Sequence, residues 1–514
     1  MNRKFYPARP ISAALAAALC MTLCSCSLIE IKKEPDISTA GETNAPQTTV
    51  GTEADTSDEA AGEAPVTTAQ LKPVESKDNF GIAQKYLAAL VTRDLSGVPI
   101  SIAAADSSLY APNSADTLVS AARIERNSMV EKKYNTTIIS SRVSLQDIYD
   151  QSVTSVLSGD FYADLISIPM SALGSFAAKG LLASMNSLPF TDYSAPYYNG
   201  DAMRQMTAGS TLYGALGELN TDIEKLWCVY FNKSLVEKLG LTSPYELVYK
   251  NKWTWDTFSS MTKAVSAIDG IYGHASGADA ELYADVLFSS AGDNYFICGE
   301  GSLPAQKAVK NSVLTLIGDI KNVIYENGTV YDGGTLTGRY SSDGALNAFY
   351  NGKSLFYIDR LSYNSWLIDM SDDWGVVPLP KLTASQAKYY TYADLSTNVL
   401  CTLKGSPTVE NAGIYLQAAN AASYNYIDDL YYDMLTTDVV RDSDTLNMLD
   451  YITGSNGLGS VYADFGLMFG RGYDYIANGT YAAMRAAVQG GTAFDVKVKA
   501  DANAIAAKIA RDFK

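Results

Sequence analysis

The chain has 514 residues, with 39 Lys plus Arg against 56 Asp plus Glu for a net charge of −17, and 47% of it is hydrophobic. That share supplies cores for two or three domains and excludes a chain disordered throughout, while the lack of a basic footprint excludes nucleic acid as a partner. A single histidine, His274, excludes multi-histidine metal sites and leaves one imidazole at most for acid–base work; tyrosine, at 35 residues, is the opposite extreme.

The first predicted element, residues 1–25, is a targeting segment. Arg3, Lys4 and Arg9 precede an apolar stretch over residues 11–23 that is too short for a usual membrane span. It ends in Leu23-Cys24-Ser25-Cys26, which resembles a bacterial lipobox and marks Cys26 as the acylated N-terminus after cleavage; Cys20 and Cys24 fit poorly, because each follows a leucine. Several acyl chains, at about 0.8 kcal/mol per buried CH₂, would give a stable anchor. Residues 27–78 carry no aromatic side chain and hold 11 acidic against 4 basic residues. Such a segment buries too little apolar surface to offset its chain entropy, so 26–79 is predicted to be an acidic tether with a reach on the order of 40 Å. The remaining chain keeps a charge of −13. Of its cysteines, Cys228 and Cys401 fall in apolar strand-like runs and read as buried thiols; nothing in the sequence pairs them with each other or with Cys298, and no zinc spacing occurs.

From Asn79 onward strand-like and helix-like segments alternate, the pattern of an α/β protein with mainly parallel sheets. A strand is predicted over 99–105, a helix over 117–133, a strand over 136–143, a helix over 145–157 stopped by Gly159, and a short apolar strand over 163–168 broken by Pro169. Farther on, Val313, Ile317, Ile320 and Ile324 place an apolar stripe on a helix over 312–326 that Asn327-Gly328 ends. A helix end at 345–350, a turn at Asn351-Gly352 and a strand over 354–358 follow. In α/β sheets the turns after the strands carry the ligand contacts.

Four segments together resemble the bacterial extracellular solute-binding proteins of family 1, the lipoprotein receptors of ABC importers. They are Gly159 to Pro169 leading into Gly180-Leu181-Leu182 and Asn186-Ser187-Leu188; Val229-Tyr230-Phe231-Asn232-Lys233-Ser234-Leu235 with Gly240-Leu241 and Trp253-Thr254-Trp255-Asp256-Thr257-Phe258; Phe349 to Ser354; and Trp374-Gly375-Val376-Val377-Pro378-Leu379-Pro380-Lys381. The second departs from the family pattern at Phe231 and Cys228. The resemblance implies a two-lobed periplasmic-binding-protein-like α/β fold of the maltose-receptor class, its lobes joined by a hinge that the chain crosses more than once. Lobe 1 would be 80–222 with 379–425, and lobe 2 would be 223–378 with 426–514. It also implies a ligand held in the cleft between lobes that close by hinge motion.

Positions that match cleft loops of such receptors are Asp106 and Ser107 after the first strand and Met170 and Ser171 after the third. In lobe 2 they are Glu281 and Tyr283, then Asp359 and Arg360, with Tyr392 and Asp394 near the second crossing. Trp253 and Trp255 are assigned to packing, and Trp366 is left open. Two apparent motifs fail. Ser385-Gln386-Ala387-Lys388 has no Lys-Thr-Gly to complete a penicillin-binding constellation, and Asp442-Ser443-Asp444 begins a calcium loop that Leu446 interrupts. No Walker A or dinucleotide fingerprint occurs, and no cofactor is expected. The leading expectation is a lipid-anchored receptor on the outer face of the cytoplasmic membrane, delivering a small solute, with carbohydrate favoured, to an ABC permease. The alternatives are a surface glycan-active enzyme using paired carboxylates and a ligand sensor for a signalling partner.

Overall fold

The computed structural model describes residues 78–220, 223–276, 286, 289–292, 296–299, 302–306, 342–392, 394, 396–427, 430, 442–453, 459–462, 507 and 511. The strands that organise it are β1 (Ile100–Ala104), β2 (Ile138–Arg142), β3 (Leu165–Pro169), β4 (Trp227–Asn232), β5 (Tyr272–Ser276), β6 (Ser354–Arg360), β7 (Trp374–Val377), β8 (Tyr389–Tyr392), β9 (Asn398–Cys401) and β10 (Gly459–Tyr462). The helices used below are α1 (Asn79–Ala89), α2 (Leu118–Tyr134), α3 (Leu145–Ser158), α4 (Met170–Ala178), α5 (Trp255–Ser266), α6 (Ser342–Tyr350), α7 (Val409–Ser423) and α8 (Ser443–Thr453).

The first sheet has the order β9-β3-β1-β2, with β1, β2 and β3 parallel and β9 antiparallel to β3. The helices on it are set by local chemistry. Thr117 and Ser120 cap the start of α2 reciprocally, and Asn135, in the left-handed region at φ 50°, ends it. Ser144 caps α3, and Gly159 at φ 79° stops it, as the sequence predicts. Helix α7 packs against α1, α2 and β1 and buries every residue from 412 to 423. Its approach is close: a Cβ on Gly413 would lie 1.9 Å from the Pro189 carbonyl oxygen.

The second sheet has the order β7-β4-β6-β5 and is mixed rather than mainly parallel: β4 runs antiparallel to β6 and β7, while β5 and β6 are parallel. Its core is aromatic, with Phe356 stacked on Phe258 at 4.8 Å and tilted against Trp253 at 5.6 Å. Both tryptophans assigned to packing are buried there, and each indole finds an acceptor, Trp253 on the Pro378 carbonyl (2.7 Å) and Trp255 on Ser290 Oγ (2.9 Å). Cys228 and Cys401 are buried free thiols, and burial raises the pKa of both.

Two stretches near the lobe boundaries implied by the resemblance are placed by their contacts. Residues 379–392 pack on the second sheet: the Lys381 N–H donates to the Trp253 carbonyl (3.1 Å), and β8 pairs with β10 and lies against β4. Residues 379–392 therefore belong with the second sheet. Tyr426 stays with the first sheet, its hydroxyl donating to Glu125 (2.7 Å) and its ring 5.0 Å from Phe80. Cys26, residues 27–77 of the tether, the helix expected over 312–326 and the side chain of Cys298 lie outside the described residues, while Asp78 and Asn79, assigned to the tether's end, are the cap and first residue of α1.

Candidate functional site

The strand pairings themselves locate the site. Strand β3 ends at Pro169 opposite Asn398, the first residue of β9, and β1 runs parallel to it, so the loops after both strands leave the same end. Strand β6 ends at Arg360 opposite Trp227, the first residue of β4. The C-terminal ends of β1, β3 and β6 thus all lie toward residues 220, 223–226, 394 and 396–398, which fall between the two sheets in the chain. These segments are tied together. The Asp394 N–H donates to the Lys225 carbonyl (3.1 Å), the Lys225 ammonium to the Ser396 carbonyl (3.2 Å) and the Asn220 amide to the Asn398 carbonyl (2.9 Å).

At this end two carboxylates flank one guanidinium. Asp359 is 1% exposed; its Oδ2 accepts from the Tyr357 hydroxyl (2.6 Å), and its Oδ1 accepts from the Arg360 N–H (2.7 Å) and Nε–H (3.3 Å). Burial pushes the Asp359 pKa up to about 6, against the opposing pull of Arg360 and the Tyr357 hydrogen bond. Asp394 accepts from the Ser396 N–H (2.8 Å) and the Trp227 indole (3.3 Å) and lies 4.0 Å from Arg360 Nη1. Burial works against the charge on Arg360, but Asp359 and Asp394 together outweigh it and hold its pKa above the ordinary value. Tyr392 is buried with its ring 6.4 Å from Trp227.

The accessible part of the cluster is a ridge. Arg360 caps a 3₁₀ helix, Leu361–Leu367, in which residues three apart eclipse one another. Arg360, Tyr363 and Trp366 therefore share one face. Arg360 lies over the Tyr363 ring at 5.3 Å and donates to its hydroxyl at 3.2 Å; its side chain is 33% exposed and Trp366 is 61% exposed. An indole left in solvent on the same face as a part-exposed guanidinium offers a ring face for stacking, and the guanidinium offers N–H donors for oxygen acceptors.

On the opposite side, Asp106 accepts from the N–H and hydroxyl of Ser108 (3.1 and 2.6 Å) and so caps the short turn Ser107–Leu109. Tyr110 closes that loop onto β3 through a 2.8 Å hydrogen bond with Ser167. Met170 is buried and gives its N–H to the Thr397 carbonyl (2.9 Å). A depression lined by Phe161, Tyr162, Leu403 and Pro407 lies at the far end of β3 and holds about 10 Å³, room for one water. The calcium-like start at Asp442 is a helix cap: Asp442 accepts from the Thr445 N–H (2.7 Å) and pairs with Lys233.

The sequence matches no family model and no curated protein. Solved structures do resemble it. A sugar transporter protein from Rhizobium etli in an open conformation superposes with a TM-score of 0.56 at 14% identity, covering 80% of this chain and 99% of that one. The cyclic α-maltosyl-1,6-maltose binding protein from Arthrobacter globiformis gives 0.52 at 15% identity (81% and 100% covered). The galacto-N-biose-/lacto-N-biose I-binding protein of an ABC transporter from Bifidobacterium longum, in complex with lacto-N-biose, gives 0.51 at 14% identity (82% and 99%). The fold is that of the maltose-type, two-lobed binding proteins.

In that two-lobed frame, four of the ten expected residues (Asp359, Arg360, Tyr392 and Asp394) form one cluster on the lobe 2 side of the hinge. Asp106, Ser107, Met170 and Ser171 lie at the facing strand ends of lobe 1, and Glu281 and Tyr283 lie outside the described residues. Asp359, Tyr392 and Met170 are buried and committed to the protein, while Arg360 has an open face. Trp227, Tyr357 and Tyr363 were missed as partners, and Trp366 had been left open. For Tyr363 and Trp366 the available signal was a period of three running on from Arg360.

Proposed function

We propose that this chain is an extracytoplasmic solute receptor that captures a carbohydrate between its lobes and, anchored through a lipid on Cys26, hands it to an ABC permease. The observation that carries the reading is the ridge Arg360–Tyr363–Trp366, set where the strand ends of both lobes converge on the hinge. A pyranose ring stacks its CH face on an indole, and its hydroxyls accept from a guanidinium. Proteins that share the fold and bind or transport sugars are consistent with this. The enzyme alternative is disfavoured by the carboxylates. Asp359 and Asp394 are buried, 1% and 8% exposed, and each is oriented by hydrogen bonds from the protein, so neither is presented to a glycosidic bond in solvent.

The test is a thermal-shift and tryptophan-fluorescence panel of maltose, maltotriose, lactose, galactobiose, glucose, amino acids and polyamines. A true ligand at 100 times its dissociation constant should add about 2.7 kcal/mol of stability and be recovered unaltered on release. Binding by amino acids or polyamines alone would remove the carbohydrate clause. Recovery of cleaved sugar at catalytic rates would replace the receptor by an enzyme.

A further inference from the structure

Arg360 is held by three groups of different kinds. Asp359 Oδ1 accepts from its backbone N–H (2.7 Å) and its Nε–H (3.3 Å), the Tyr363 hydroxyl accepts from Nη2 (3.2 Å), and Asp394 lies 4.0 Å from Nη1. The first ties the guanidinium to the end of β6, the second to the ridge and the third to a connecting segment. Asp359 is 1% exposed, and burial raises its pKa to about 6. The fold alone therefore favours its neutral form near neutral pH. What the charge provides is a grip on Arg360, because hydrogen bonds to an ionised acceptor are roughly twice as strong as neutral ones.

A proton taken up on Asp359 Oδ2 can be donated to the Tyr357 hydroxyl oxygen, 2.6 Å away, while Oδ1 remains a neutral acceptor for Arg360. Asp394 is then the anion left to draw the guanidinium, and it draws toward the connecting segment. We propose that Asp359 is a positioning residue with a proton switch: ionised, it holds Arg360 on the ridge for the solute, and neutral, it cedes the guanidinium to Asp394 and solute affinity falls. The inference rests on the receptor reading of that ridge. Among the described residues, the other titratable groups around the carboxyl are accounted for. Burial holds the Tyr357 hydroxyl and the Cys228 thiol, opposite Asp359 on β4, above their ordinary pKa values. The Tyr230 hydroxyl donates to the Arg360 and Leu361 carbonyls, and Lys225 to the Ser396 carbonyl. His274, on β5 opposite Phe356, is buried with its ring 5.3 Å from Phe258. Histidines ordinarily titrate in the same window, so His274 supplies the control.

The test uses the full chain and calorimetric titration with maltotriose, maltose, lactose and galactobiose at about pH 5 and pH 7.5. For a neutral form that binds about tenfold less well, a midpoint of about 6 makes the affinity about fivefold lower at pH 5 than at pH 7.5. Asp359→Asn keeps an acceptor for Arg360 without the charge. It should bind about tenfold more weakly than the parent at pH 7.5 and equally at both pH values. His274→Gln should keep the parent's profile. Without sugar, the Arg360 Nε–H resonance of ¹⁵N-arginine-labelled protein, assigned by its loss in Arg360→Lys, should move with a midpoint near pH 6 and stay fixed in Asp359→Asn. A parent affinity equal at both pH values, a profile that survives Asp359→Asn, or one that disappears in His274→Gln overturns the proposal. If none of the four sugars binds at pH 7.5, it is the carbohydrate reading that fails. The arginine resonance then decides whether Asp359 controls Arg360, and the lack of a midpoint near pH 6 overturns the switch.

Discussion

Replacing Asp359 by Asn should stabilise the protein at neutral pH, although it removes a charge that pairs with an arginine. The carboxyl is fully buried, and its pKa stands at about 6 against an ordinary 3.8. The native state therefore holds this proton more tightly than the unfolded chain does. Between about pH 4 and pH 6 folding takes up a proton, so the contribution of Asp359 to stability is lost as pH rises through that window. Two pKa units at about 1.4 kcal/mol each make the cost of the buried anion on the order of 3 kcal/mol above pH 6. Asparagine does not ionise, and its Oδ1 can still accept from the Arg360 N–H and Nε–H while Nδ2 donates to the Tyr357 hydroxyl. The difference in stability between Asp359→Asn and the parent should move in the variant's favour by about 3 kcal/mol from pH 4 to pH 7. Urea denaturation at pH 4, 5, 6 and 7, followed by tryptophan fluorescence, measures it. A difference that is flat with pH, or that moves the other way, would show that the attraction of Arg360 exceeds the burial cost and that the carboxylate is ionised throughout.

Asp394→Asn should cost about 2 kcal/mol in urea denaturation and shift the emission of Trp227, because no orientation of the amide accepts from both the indole and the Ser396 N–H through separate oxygens. Trp366→Ala should change stability by less than about 0.5 kcal/mol, the side chain being largely in solvent, yet weaken the sugar found in the panel by about tenfold in a fluorescence or calorimetric titration. Equal affinity in the variant would remove the indole from the site. Gly413→Ala should lower the melting temperature: the gain of about 1 kcal/mol in helix propensity is outweighed by driving a methyl into the Pro189 carbonyl, a cost of about 1–3 kcal/mol or more.

The sequence carried the first sheet well, because β1 and β3 are short apolar runs between strong helix signals: the Thr117 and Ser144 caps and the Gly159 stop. It carried the second sheet less well, since the direction of β4 depends on how the chain enters from the hinge and no local pattern encodes that. The contacts of residues 379–392 were not legible either, since Lys381 and Tyr389 hold that segment to the second sheet through backbone and hydroxyl contacts of long sequence separation. The site was legible to the level of position. Asp359, Arg360 and Asp394 follow strand ends, where α/β sheets put their contacts. What the sequence could not give was which of them faces inward. Burial decides that, and it assigns the carboxylates to orienting the arginine.

That assignment bears on how the lobes could be coupled to a ligand. A binding event moves a hinge only through a difference in affinity between its states. Arg360 is the one member of the cluster that both has an exposed face and reaches a connecting segment, through Asp394. A hydroxyl or ring oxygen that accepts from the open face of Arg360 competes with Asp394 for the same guanidinium. Asp394 in turn is tied by its own N–H to Lys225 in the other connecting segment. On the proposed reading, ligand contact and hinge geometry therefore meet in one side chain. Held from behind by Asp359, that side chain stays on the ridge while the charge beside it is redistributed.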